Sequence, residues 1–218
     1  MAKIGIMGGT FNPIHNGHLY IARAAYEEYK LDKVHFMPNH IPAYKSKAEM
    51  VSAADRMNMV KLAIKPYPDY VLDTMEIDRG GKTYTADTLR ILHANEDGNQ
   101  YSFIIGADSL ETFTRWYHPQ EILSYADLLV ATREDADEAL LNRMIHHTEE
   151  TLQVAGKIHM IRCRNMASKT NTAWIASSQI RKCIALGEEV EPISGQPIRD
   201  IIPEAVYDYI KDYHLYTG

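Results

Sequence analysis

GGTFNPIHNGH, residues 8–18, is the stretch on which the reading of the fold turns. It follows a short apolar run, KIGIM at 3–7, and leads into residues 16–30, where Leu19, Ala22, Ala25, Tyr26 and Tyr29 fall on one face at helical spacing. The order is therefore strand, glycine turn, helix. Glycines directly after a strand let the backbone approach a ligand closely. The helix that follows presents free N–H groups and a partial positive end, which suits phosphate. Two common phosphate signatures are excluded: the stretch has neither the Gly-Lys-Ser/Thr ending of a P-loop nor a G-x-G-x-x-G fingerprint.

His15 and His18 stand there instead. Three residues apart at a helix start, they can face the same side. Two imidazoles on one face can hold zinc, but the H-E-x-x-H spacing is four and no third ligand is near, so no metal site is assigned. Both could simply cap the helix or sit on the surface. A third reading fits better: imidazoles beside a phosphate-binding helix end can donate hydrogen bonds to phosphate oxygens, where charge shifts during phosphoryl or nucleotidyl transfer.

Working outward, Val34–Met37 reads as a second strand stopped by Pro38. Strand–helix–strand implies a right-handed crossover and parallel pairing. Residues 39–47 form a loop with two prolines and two lysines, and a helix is expected over 53–64 with Ser52 as its N-cap. Residues 71–77 alternate like a strand, Arg79 to Lys82 is a glycine loop, and 86–95 reads as a helix. Residues 101–105 and 126–131 are continuous apolar runs, as in strands buried on both faces, with a helix over 119–125 opened by Pro119. Residues 134–156 read as an acidic surface helix and linker, 157–163 as a last strand. Ser177 or Ser178 is expected to cap a helix ended by Gly187, and 203–213 is a closing helix. The sum is an α/β fold with a doubly wound, mostly parallel, Rossmann-like sheet, a single domain over 1–218 with a helical C-terminal portion from about 177. Ligands of such sheets bind beyond the carboxyl ends of the strands, at the switch point.

Composition narrows the class. The chain has 218 residues, 45% hydrophobic and 24% charged, as an ordinary globular domain does. Its two cysteines, Cys163 and Cys183, give no disulfide framework and no zinc spacing. No apolar run approaches a membrane span, and the opening residues read as a strand rather than a signal peptide, so a cytoplasmic location is expected. With 23 basic against 29 acidic residues the net charge is −6, which argues against nucleic acid as a partner. An anionic substrate needs a local positive patch, for which Lys45, Lys47, Arg133, Arg181 and Lys182 are candidates.

Six segments in order carry a family resemblance. GGTFNPIHNGH resembles the H-x-G-H region of the nucleotidylyltransferase superfamily, and more narrowly that of the bacterial nicotinate-nucleotide adenylyltransferases, usually GGTFDPIHxGH. FMPNHIPAYK (36–45), TYTADTL (83–89), FIIGADSLETFTRWYHPQEIL (103–123), IASSQIR (175–181) and IIPEAVYDYIKDYHLY (201–216) are similar to further segments of that family. Asn12, Tyr44, Ala176 and Ser178 depart from its usual residues.

The resemblance implies adenylyl transfer from Mg-ATP to nicotinate mononucleotide by direct displacement, giving nicotinate adenine dinucleotide and pyrophosphate in NAD biosynthesis. It implies His15, His18 and Arg181 as catalytic. It implies ATP contacts from Gly8, Gly9, Thr10, Phe11, His15, His18, Lys45, Gly106, Asp108, Arg133, Ser177, Ser178 and Arg181. The mononucleotide would meet Asn39, Lys45, Tyr84, Thr85, Asp108, Trp116 and Tyr117. Magnesium is expected with the triphosphate, held mostly by phosphates and water. The partners implied are the two small substrates, with a homodimer left open. Alternatives on the same fold are an adenylyltransferase for nicotinamide mononucleotide or phosphopantetheine, and a noncatalytic nucleotide sensor.

Overall fold

The computed structural model describes residues 1–42, 50–95, 98–131, 138–162, 176–192 and 194–217. In chain order the first half comprises β1 (Lys3–Gly9), α1 (Asn16–Tyr29), β2 (Lys33–Pro38), β3 (Ile41–Pro42), α2 (Ala53–Ile64), β4 (Tyr70–Leu72), α3 (Met75–Arg79), β5 (Lys82–Thr83) and α4 (Thr85–Ala94). The second half comprises β6 (Gln100–Gly106), α5 (Ala107–Phe113), α6 (Pro119–Tyr125), β7 (Ala126–Ala131), α7 (Glu138–Leu152), β8 (Ile158–Ile161), α8 (Ser177–Leu186), α9 (Ile198–Ile201) and α10 (Glu204–Asp212). Six strands form one sheet in the order β4-β2-β1-β6-β7-β8, with every pairing parallel. β3 and β5 form a separate parallel pair, Ile41 against Lys82 and Pro42 against Thr83. The expected doubly wound parallel α/β sheet is the observed one.

Alternation along the strands builds the two cores. Met7, Ile104, Leu129 and Ala131 point to one face, where they meet Leu19 and Ala22 of α1, Met59 and Val60 of α2, Ile180 of α8, and Val206 and Ile210 of α10. Ile4, Ile6, Phe103, Ile105, Leu128 and Val130 point to the other, against Leu89 of α4, Leu110 and Phe113 of α5, Ile122 of α6 and Leu141 of α7. This is the period-2 arrangement of strands buried on both sides. Among the described residues no helix is long and apolar enough to cross a membrane.

Several expectations from sequence are corrected. Residues 71–77 are not one strand. β4 ends at Leu72, and Asp73 accepts the Met75 N–H at 3.1 Å while the Thr74 hydroxyl donates to Asp78 at 2.7 Å, so the chain turns into α3. Local side-chain bonds of this kind compete with a ladder, and β4 is an edge strand with only β2 to hold it. The surface helix expected in the acidic segment is α7, which also buries Leu141, Thr148 and Leu152. β8 covers only Ile158–Ile161, and residue 163 lies outside the described residues. α8 is not capped by a serine: Ala176 takes the N-cap position with no side-chain bond, and Gly187 ends the helix at φ 68°. α5 and α9 have no counterpart in the sequence reading.

Close packing at the centre of the sheet has a testable edge. A Cβ added to Gly5 would lie 2.7 Å from Leu31 Cδ1 and 2.9 Å from Ile104 Cδ1. Gly5→Ala should therefore destabilise the fold by about 1–3 kcal/mol through overpacking, read from the urea midpoint. An unchanged midpoint would mean that the packing of Leu31 and Ile104 over Gly5 is looser than described.

Candidate active site

The sheet reverses direction of growth between β1 and β6. From β1 the chain runs outward through β2 and β4, and the second half fills the other side from β6 to β8. The connections leave on opposite faces and open a crevice at the strands' carboxyl ends. A cavity of about 850 Å³ lies there. It is lined by Gly8, Gly9, Thr10, Phe11, His15, His18, Asn39, Tyr84, Thr85, Gly106, Asp108, Trp116, Tyr117, Ser177, Ser178 and Arg181. All the site residues that the resemblance implies and that fall among the described residues thus meet in one place, whereas Lys182, a candidate for the positive patch, is exposed and does not line the cavity. Lys45 and Arg133, with Tyr44 and Lys47, lie outside the described residues.

The turn after β1 is tightly specified. Phe11 takes φ 48°, and its ring lies over Gly9, where a Cβ would come within 3.1 Å of it. The His18 ring meets Phe11 edge-on with centroids 5.2 Å apart, and the His15 and His18 centroids are 3.8 Å apart. His15 is the N-cap residue of α1, so the capping role considered from sequence and a place in the cavity coexist. Its N–H donates to His18 Nδ1 at 3.2 Å, which leaves the proton of a neutral His18 on Nε2. His15 is 6% exposed, and its Nδ1 is buried without a hydrogen-bond partner. Burial first, and the neighbouring His18 second, hold the His15 imidazole well below the ordinary histidine pKa. It is a neutral ring in the ligand-free site.

Other elements hold this turn from behind. Arg181 Nη1 donates to the Asn12 carbonyl at 2.9 Å, and the Ser177 hydroxyl donates to the Pro13 carbonyl at 2.9 Å. These bonds set the N-terminus of α8 against that of α1. The Asn12 side-chain oxygen accepts from the Tyr216 hydroxyl at 2.9 Å and from the Val51 N–H at 3.3 Å. Asn39 continues β2: its N–H donates to Gly9 O at 2.9 Å, and its Nδ2 reaches the Thr10 hydroxyl at 3.4 Å.

The opposite wall belongs to the second core. The Trp116 indole N–H donates to the Thr112 hydroxyl at 3.3 Å, and its ring packs against Phe103 and Phe113. Tyr84 and Tyr117 approach with centroids 4.6 Å apart. Thr85 is the first residue of α4 rather than its predecessor, and that helix start has no side-chain cap, as at α8. Uncapped N–H groups at two helix starts, with the α1 terminus between them, give an acidic protein a locally electropositive crevice. Asp108 folds over Gly106, where a Cβ would fall 2.5 Å from its carboxylate oxygen, so the carboxylate in this position relies on the absence of a side chain there.

Sequence reading passed over two charged residues here. Glu76 lines the cavity and is 8% exposed; it accepts from the Thr88 hydroxyl at 2.6 Å, and burial raises its pKa. Arg56 lies behind the turn, 1% exposed, donating to Thr10 O at 2.8 Å and His40 O at 3.1 Å. One signal was available: Arg56 occupies the stripe of Met59, Val60 and Ala63, and a charge on an apolar stripe calls for a partner. Among the described residues no group of three or more His, Cys, Asp or Glu is arranged to hold a metal.

Comparison with known proteins agrees with this architecture. Residues 6–183 match the family model described as cytidylyltransferase-like, the class that the sheet and crevice define. A protein of Lachnoclostridium phytofermentans named a probable nicotinate-nucleotide adenylyltransferase is 37% identical over 216 residues, covering 99% of this chain and 100% of the relative. One of Legionella pneumophila with the same name is 34% identical over 226 residues, 99% of this chain and all of the relative. Among solved structures, the Plasmodium falciparum nicotinic acid mononucleotide adenylyltransferase complexed with NaAD superposes with a TM-score of 0.75 at 19% identity, over 99% of this chain and 98% of that one. The chain belongs to the nicotinate-nucleotide adenylyltransferase family of nucleotidyltransferases, enzymes of NAD biosynthesis.

The buried imidazole carries a stability signature. Because the folded pKa of His15 is depressed, the unfolded chain takes up a proton near pH 6.5 that the folded chain refuses. Stability should fall as pH drops through that value and level off below the folded pKa, with His15 contributing a slope of at most about 1.4 kcal/mol per pH unit. His15→Gln should flatten the change in urea midpoint between about pH 7.5 and pH 5.5. Equal slopes in both proteins would show that His15 is not the group responsible.

Proposed function

We propose that the chain transfers the adenylyl group of Mg-ATP to nicotinate mononucleotide, in one direct displacement. The observation that carries this reading is the meeting of His15, His18 and Arg181 with two uncapped helix starts in one cavity, opposite an aromatic wall. A 5′-phosphate oxygen of the mononucleotide attacks the α-phosphorus of ATP. The bond from that phosphorus to the bridging oxygen breaks, and pyrophosphate leaves with the electron pair. The nucleophile is already an anion, so no general base is needed. Positioning and charge stabilisation supply the catalysis.

In this reading the backbone of Gly8, Gly9, Thr10 and Phe11 lies along the nucleotide, with Gly106 allowing close approach. His15 and His18 donate to phosphate oxygens. The Nε2 proton of His18 follows from its Nδ1 bond to His15, and His15 has an unmatched buried nitrogen available. Ser177, Ser178 and Arg181 hold the departing pyrophosphate at the start of α8, the Arg as a charge-assisted donor. Lys45 and Arg133 are proposed to add charge to the ATP phosphates. Magnesium would enter with ATP as part of the substrate, held mostly by phosphates and water.

The acceptor lies along Asn39, Tyr84, Thr85, Asp108, Trp116 and Tyr117. The N–H groups at the start of α4 receive the ring carboxylate of nicotinate. Trp116 offers a flat face to the pyridinium, adding a cation–π contribution. A nicotinamide would bring N–H groups against N–H groups and lose the charge attraction.

Two measurements test this. Purified protein with magnesium and ATP should release pyrophosphate with nicotinate mononucleotide at a kcat/KM well above that for the nicotinamide form. Equal values would overturn the role given to Thr85, turnover with phosphopantetheine alone would reassign the acceptor, and no turnover would favour a nucleotide sensor. His18→Ala should lower kcat by roughly 100-fold or more, as loss of one preorganised donor to a transition-state anion does. A near-normal rate would remove His18 from the catalytic set.

A further inference from the structure

Arg56 is the most unusual charge in the chain. It sits on the buried stripe of α2 and is 1% exposed. Among the described residues its guanidinium donates only to backbone carbonyls, Thr10 at 2.8 Å and His40 at 3.1 Å, and its buried Nε has no partner. Among the described residues no carboxylate forms an ion pair with it. The adjacent Asp55 is engaged elsewhere, by Ser52 and Tyr209. Burial pushes the guanidinium below the usual arginine pKa, yet an arginine remains charged at neutral pH. A buried cation without an anion is costly, and such a group is retained where something completes it.

The place of that charge suggests what does. Thr10 is on the cavity wall and Arg56 is not, so the guanidinium lies behind the turn. The Thr10–Phe11 peptide is trans, so its carbonyl and N–H point in opposite directions. With that carbonyl taken by Arg56, the Phe11 N–H of the same peptide faces away from the guanidinium. Arg181, which does line the cavity, holds the Asn12 carbonyl.

We infer that Arg56 is a positioning residue of the polyphosphate site, a buried cation one peptide unit behind the Thr10–Phe11 turn whose missing counter-charge is supplied by the bound phosphates. The inference rests on the adenylyl-transfer reading and deepens it. Its charge matters as well as its bonds: the anion in front of the turn and the cation behind it attract through buried protein, where screening is weak.

Binding of inorganic pyrophosphate to the whole chain, followed by calorimetry on samples with native near-ultraviolet circular dichroism, tests it. Arg56→Gln keeps hydrogen-bonding capacity and removes the charge; it should bind pyrophosphate at least about tenfold more weakly than the unaltered protein. Arg56→Lys keeps the charge and loses the fork; it should stay within about threefold. A folded Arg56→Gln with undiminished affinity overturns the inference alone, as does an equal loss in both variants, which a purely structural clamp would give. Should Arg56→Gln fail to fold, Arg56→Lys decides: retention of affinity supports the inference, and a tenfold loss in the folded variant overturns it. Failure of the unaltered protein to bind pyrophosphate would instead take down the polyphosphate reading itself.

Discussion

Parallel pairing on both sides of β1 is the constraint from which everything else follows. A central strand that is hydrogen-bonded to β2 on one edge and to β6 on the other must have connections that depart over opposite faces. The crevice between them is a product of topology, present before any side chain is chosen. What the sequence adds is a turn small enough to leave backbone N–H groups open there, and an α1 terminus aimed at it. The glycines, the left-handed Phe11 and the close ring stack of His15 on His18 are successive refinements of one gap in the sheet.

An overall charge of −6 makes the local electrostatics more telling. Attraction for an anion cannot come from the surface as a whole, so it is gathered from helix starts, imidazoles and guanidinium groups set close to one turn. The side chains that crowd this turn are mostly not spent on capping. Ser177 donates sideways to Pro13, leaving its own helix start open, and Ala176 supplies nothing. In most proteins a helix N-terminus is satisfied by its own N-cap. Here the starts of α4, α5 and α8 line one cavity without a side-chain cap, an arrangement that a polyanion would complete.

How much of this could be read from the chain alone depended on the range of the interactions involved. Residues 8–18 form a local motif, and the strand–turn–helix order around them follows from apolar spacing within thirty residues. The α2 helix, its Ser52 cap and the Pro119 start of α6 are equally local and equally legible. The stretch 71–77 was misread because alternation alone does not reveal that Asp73 closes a side-chain bond and ends the strand. α5 was missed because seven residues carry too little periodicity to stand out after a buried strand. Thr85 and Trp116 were singled out through family resemblance, since a lone tryptophan reads equally well as core. Arg56 and Glu76 could not be placed at the site from sequence, because what brings them there is the packing of α2 and α3 against distant turns.

The bond from the Tyr216 hydroxyl to Asn12 spans 204 positions of sequence. The carboxamide beside the glycine turn is thus fastened by a phenol that no neighbouring residue could supply, and only tertiary packing brings the two together. Loosening of that distant segment would reach the cavity directly, so the seating of one governs the shape of the other.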